Sequence, residues 1–192
     1  MIVVAALAGP AVLLIVQHTV HTAIRLRPLA SVAVGAAAGS LVGLLLTLAP
    51  QRMVLLLPLA VLGCAAAVVD AHEGRLPDML TWPLLLGTLL AGILTAEGNG
   101  GVVTLLSVLT GGGVAIVFKT VVSAGFGWGD AKLVPTLAVV LARHDAVVAG
   151  IVAVTTLVAV TALLVGIRRA DRYALVPYGP AMVVGTLGAA AL

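Results

Sequence analysis

Seven side chains in this chain of 192 residues are acidic. Two of them, Asp70 and Asp130, sit where a carboxylate can do chemistry. Asp70 ends the apolar run Leu62-Gly63-Cys64-Ala65-Ala66-Ala67-Val68-Val69. At the rim of such a helix a carboxylate is partly stripped of water, and the negative end of the helix dipole disfavours it further. Asp130 follows Gly125-Phe126-Gly127-Trp128-Gly129. Glycines at alternate positions let the backbone turn tightly and let another chain come close. An acid that opens the next helix suits its N-terminus. The plain readings are a solvated loop carboxylate for Asp70 and a simple helix cap for Asp130. Brought to one face, however, two carboxylates share one proton. One then draws a proton from water while the other donates to a carbonyl. That chemistry is amide hydrolysis, and it calls for no cofactor and no metal.

The elements that must position these residues follow from composition. The chain is 62% hydrophobic and 9% charged, with a mean hydropathy of +1.27, whereas soluble domains carry roughly 25% charged residues. So few charges cannot cover a water-facing surface, so the solvent is lipid. Apolar runs fall near 1–17, 29–49, 53–70, 79–96, 101–123, 132–142, 145–167 and 174–192. A crossing helix needs roughly 20 residues. The run at 132–142 is short and crosses only where the bilayer is thin or neighbours shield it. The expectation is an all-α, polytopic transmembrane helix bundle of about eight hydrophobic segments, forming one membrane-embedded domain over 1–192. Met1–Val16 lacks a basic start and a clear cleavage site, so it reads as a retained span rather than a signal peptide. Pro28, Pro50 and Pro77 fall at or beside gaps, where a missing N–H costs least. Gly111-Gly112-Gly113 inside an apolar run offers a place for another helix to approach.

Basic residues in short gaps set the orientation. If Arg25, Arg27, Arg168, Arg169 and Arg172 face the cytoplasm, eight crossings place the gaps 70–78 and 124–131 there too. Asp70 and Asp130 then share the cytoplasmic face. The scattered charge and 3% aromatic content give no nucleic-acid surface. The single cysteine, Cys64, can form neither an internal disulfide nor a thiolate zinc site. His18 and His21 have no acid near them in sequence and read as an interfacial pair, not a metal site.

Three stretches then carry a resemblance. The first is Asp70-Ala71-His72-Glu73-Gly74-Arg75-Leu76-Pro77-Asp78 with Leu80-Thr81. The second is Gly127-Trp128-Gly129-Asp130-Ala131-Lys132-Leu133, and the third is Val176-Pro177-Tyr178-Gly179-Pro180 with Gly185. In this order the chain resembles the type IV prepilin peptidases, bacterial membrane aspartic proteases with a GxGD motif, over about residues 53–192. The resemblance implies that Asp70 and Asp130 are the catalytic pair. It implies a multi-pass protein of the bacterial cytoplasmic membrane, with its active site facing the cytoplasm. Its partner would be a pilin-like precursor, which loses a short basic leader, and its surroundings are membrane lipid. Pro77, Gly127 and Gly129 belong to the supporting loops. Lys132 is expected to favour the ionised form of Asp130, and Glu73 and Asp78 to attract a basic leader. Phe126 stands where methionine is common in the family, and Trp128 is bulky between two glycines. The gap at 18–28 is short and holds no cysteine, where full-length relatives carry a domain with paired cysteines. That points to a short, peptidase-only form without methyl transfer.

Two rival readings keep the same aspartates. One is a general intramembrane protease acting on signal-peptide remnants. The other is a proton-coupled transporter or membrane assembly subunit that uses the pair as a proton site. The latter gives no reason for the glycine spacing before Asp130.

Overall fold

The computed structural model describes residues 53–121, 127–169 and 178–191. The expected spans at 1–17 and 29–49, the gap with His18 and His21, and Arg25, Arg27 and Arg172 lie outside the described residues.

The described residues form six helices. Helix α1 runs α-helically over Met53–Pro58, widens to a π-helical turn at Leu59–Gly63, and continues over Cys64–Glu73. Pro58 has no N–H to donate and its ring crowds the preceding turn. The wider turn that follows takes up this misfit without ending the helix. Gly74 ends α1 with φ +65°, and its N–H bonds the Asp70 carbonyl at 2.8 Å. A left-handed glycine is the standard helix stop. Helix α2 spans Asp78–Leu94, α3 Gly100–Val121, α4 Trp128–Arg143, α5 Val147–Arg169 and α6 Tyr178–Ala191.

The expected boundaries agree with α1, α2, α3 and α5 to within about three residues; the first residues of the run 174–192 lie outside the described residues, and α4 starts earlier than its run. The short apolar run 132–142 became a helix of 16 residues because Trp128-Gly129-Asp130-Ala131 joins its first turn. Hydropathy misses this turn; the capping geometry at Asp130 builds it. Among the described residues three stretches are long and apolar enough to cross a membrane: Val54–Ala71, Gly100–Val121 and Val147–Leu164. Helix α2 is apolar but shorter. The described residues are therefore all-α, and their apolar spans mark a membrane protein. Six helices among the described residues do not establish the expected eight segments.

Helices α1, α2, α4 and α6 share the core. Leu56, Leu59 and Val69 of α1 meet Leu80 and Leu84 of α2, Leu133, Leu137 and Val140 of α4, and Val183 and Leu187 of α6. Helix α4 packs hardest on α3, then on α2 and α6. At that contact Gly111 is required: a Cβ there would stand 2.7 Å from the Cβ of Ala138 and 3.1 Å from the Cα of Pro135. Its neighbour Gly113 faces open space, so one glycine of the triplet carries the close approach. Helix α5 is the opposite of α4. Only 6% of its apolar window is buried, and Val148, Ile151, Val152 and Leu163 stand exposed. Among the described residues α5 packs on α6, and the apolar faces they leave uncovered suit lipid.

Helix direction alternates along the chain. The C-terminal end of α1 and the N-terminal ends of α2, α4 and α6 meet at one end of the bundle, through contacts between Asp78 and Lys132 and between Asp70 and Gly179. At the other end Arg143, the last residue of α4, donates to the Thr95 carbonyl after α2 at 2.9 Å. Helix α4 thus runs the length of the bundle despite its ~24 Å, at 1.5 Å per residue. Its flanking helices supply the shielding that a short segment needs.

Candidate active site

Asp70 lies in the last turn of α1 and is 3% exposed. Its Oδ2 accepts a hydrogen bond from the backbone N–H of Gly179 at 2.9 Å, a buried contact between residues 109 apart in sequence. Gly179 is in the first turn of α6, where backbone N–H groups have no helical partner and favour an anion. The residue there must be glycine. A Cβ on Gly179 would sit 2.9 Å from Asp70 Oδ2 and 3.1 Å from its Cβ. The Tyr178-Gly179-Pro180 stretch thus receives a physical role: it brings a helix N-terminus onto the carboxylate at the end of α1.

Asp130 is the third residue of α4 and 8% exposed. Gly127 caps the helix in an extended conformation, and Asp130 Oδ2 reaches back to its N–H at 3.1 Å. This is half of a capping box, with no side chain at the cap to complete it. The aspartate is therefore not the cap itself; it stands one turn in, facing the core side. Its Oδ1 is buried with no hydrogen-bond partner among the described residues. Burial pushes its pKa up to about 6, with the Asp70 charge adding to the rise. The Gly127 N–H and the Lys119 ammonium pull the other way. The Asp70 charge thus acts on Asp130 between the end of α1 and the start of α4.

Gly129 seats the first turn of α4 on the loop that follows Asp70. A Cβ there would stand 2.7 Å from the Cβ of Leu76 and 3.1 Å from its backbone oxygen. Pro77, extended at φ −74° and ψ 137°, caps α2 with its carbonyl, which accepts from Leu80 N at 3.0 Å and Thr81 N at 3.2 Å. Gly127, Gly129 and Pro77 thus lie where the two loops meet the helices that follow them.

Glu73 and Asp78 flank the loop after Asp70, whereas Lys132 is placed differently from expectation. Lys132 does not turn to Asp130; its Nζ bonds Asp78 Oδ1 at 2.5 Å. Two steps along a helix point away from each other, so the sequence neighbour was the wrong cation. Lys119, in the last turn of α3, is the cation whose charge acts on Asp130, and its Nζ lies 6.0 Å from the centre of the Trp128 ring. No sequence signal marks Lys119. Glu73 pairs with the exposed Arg75 at 3.2 Å. Among the described residues no group of three or more His, Cys, Asp or Glu side chains could hold a metal ion.

A family model described as type IV leader peptidase family matches residues 55–167. The match takes in Asp70, Asp130 and both glycines of the turn before Asp130, and it stops short of Gly179. No curated protein and no solved structure matches the chain significantly.

Proposed function

The chain belongs to the type IV leader peptidase family, and from this premise we propose that it is an aspartic endopeptidase in which Asp70 and Asp130 activate water. The substrate is a type IV prepilin-like precursor, from which the enzyme removes a short basic leader. The membrane is the bacterial cytoplasmic membrane, with the pair facing the cytoplasm.

The observation that carries this reading is the pairing itself. Two buried carboxylates come from the end of α1 and the start of α4, each held through Oδ2 by a glycine N–H. Holding one oxygen fixes the carboxyl plane and leaves the other for chemistry; Asp130 Oδ1 is such an unengaged atom. Two acids within reach of each other keep one proton between them, and that proton belongs to the pair rather than to either residue. A water between them is deprotonated by the ionised member as it attacks the scissile carbonyl. The protonated member donates to the carbonyl oxygen; the other then passes the proton it took from water to the departing amine, while the first takes back the hydroxyl proton as the carbonyl re-forms. The half-buried Glu73, paired with the exposed Arg75, offers a carboxylate that a leader cation can take over by exchange. The proton-site reading gains nothing from a peptidase family.

The test is co-expression with a pilin-like precursor, followed by its size on a gel. Asp70→Asn and Asp130→Asn should each leave the precursor uncut while the protein still inserts in the membrane. Cleavage at the normal rate by either variant would sink the assignment.

A further inference from the structure

The Lys132–Asp78 contact is an ion pair between two helix starts, 54 residues apart in sequence. Asp78 opens α2, which follows the Asp70 loop; Lys132 lies in the first turns of α4, which carries Asp130. The side chains are 62% and 32% exposed. An exposed pair of this kind contributes little to stability, since water competes for both charges. Its worth lies in what it aligns.

We propose that Lys132 and Asp78 form a clasp that sets how Asp130 faces Asp70, making both positioning residues for the peptidase reaction. Asp130 and Lys132 lie about 200° apart around α4, at 3.6 residues per turn. Any roll of the helix that swings one swings the other. Holding Lys132 against the start of α2 therefore fixes the direction in which Asp130 points. The chain between Asp70 and Asp78 is short and already stiff, with a left-handed stop at Gly74 and the extended Pro77. The start of α2 is thus a rigid reference for Asp70. Gly129, seated on the Leu76 backbone, supplies the fulcrum: it sets the distance between α4 and the loop, and the ion pair sets the rotation. With the clasp open, the first turn of α4, ahead of the packed Leu133, can shift on Gly129 and carry Asp130 off line.

This inference rests on the peptidase reading, so the experiment has an arm that does not. Asp78→Asn, Lys132→Gln, the double variant and Lys132→Arg are made in the full chain and placed in lipid nanodiscs. Cleavage of a pilin-like precursor gives kcat and KM. Hydrogen–deuterium exchange without substrate is followed in segments 74–78 and 127–132. Each neutral variant should lose about tenfold in kcat, as a misaligned catalytic group does, with KM unchanged. The double variant should be no worse than either single, the mark of one shared interaction. Lys132→Arg should stay near wild type, and exchange should rise in both segments in all three neutral variants. Losses that multiply, a rise in KM with kcat intact, or unchanged exchange would overturn the clasp. A rise in KM would instead mark the two residues as contacts to the leader. If exchange follows the pair but the wild type cuts no precursor, the clasp stands and the peptidase assignment falls.

Discussion

The two aspartates are held by the same kind of bond and by opposite strategies. Asp130 is anchored locally: the N–H it engages belongs to Gly127, three residues earlier, and the arrangement forms as α4 forms. Asp70 is anchored by the fold: its N–H comes from Gly179, and α6 must dock before that bond exists. Helix α6 packs on both α1 and α4. The last described helix therefore completes a candidate site whose two acids both precede it. A pair assembled in this way has one member set early and one set late, so damage to the anchors should be unequal.

The largest expected effect comes from exchanging the anchoring glycines. In Gly179→Ala the new methyl meets Asp70 Oδ2 at 2.9 Å, its Cβ at 3.1 Å and its Cγ at 3.2 Å. Those atoms lie near the rigid end of a short side chain inside the core, so either α6 or the carboxylate must move. A displacement of about 1 Å can cost about a hundredfold in rate, and that loss in kcat is expected. In Gly127→Ala the methyl meets only the carboxyl tip of Asp130, with Oδ2 at 3.2 Å, and φ −76° suits alanine. The N–H stays in place, so the loss should remain below about tenfold. Precursor cleavage by the two variants, with insertion checked by protease protection, decides the matter. Equal losses would break the contrast between local and long-range anchoring.

The same contrast explains what could be read from the sequence. Asp130 with Gly127, and Pro77 ahead of α2, act through neighbours a few residues away, so composition and spacing expose them, whereas Gly129 acts on Leu76 across the fold. The apolar runs gave helices α1, α2, α3 and α5 nearly at their bounds because burial in lipid follows hydropathy directly. The first turn of α4 was lost to hydropathy, as its glycines and Asp130 dilute the apolar signal. Three features were beyond reach for one reason. The Asp70–Gly179 bond, the Lys132–Asp78 pair and the action of Lys119 on Asp130 all depend on which helix lies beside which. The third motif stretch could be seen, yet nothing in it said which carboxylate its glycine would hold.

A smaller effect concerns stability. Asp130, at the start of α4 ahead of the apolar run, has its pKa raised from 3.8 to about 6, chiefly by burial. Its protonated form is thus the better fit to the fold. The stabilisation from holding that proton is complete below pH 3.8 and is lost as pH rises through about 6. The span corresponds to about 3 kcal/mol at 1.36 kcal/mol per unit. Asparagine mimics the protonated acid and can still accept the Gly127 N–H. Asp130→Asn should therefore melt above wild type in detergent micelles at pH 7.5, and the gap should close by pH 4. A variant that is less stable at pH 7.5 would show that the Asp130 carboxylate is held as an anion and that its local anchor outweighs burial.

The smallest effect tests the cation on the Asp130 side of the pair. Lys119 lowers the Asp130 pKa, and it is the least of the causes acting there. Its position over the Trp128 ring ties that charge to the first turn of α4, so cation and aspartate keep their separation if the turn shifts. Removing the charge with Lys119→Met makes an anion at Asp130 costlier. The pair then gives up its proton later, and the whole pH profile of precursor cleavage should move upward. Partial exposure and salt screening keep the shift below about one pH unit. Lys119→Arg should leave the profile in place, since it keeps both the charge and the stack on the ring. A downward shift in Lys119→Met would mean that Asp130 is tuned by groups other than Lys119. The local anchor at Gly127 would then be left to balance burial without it.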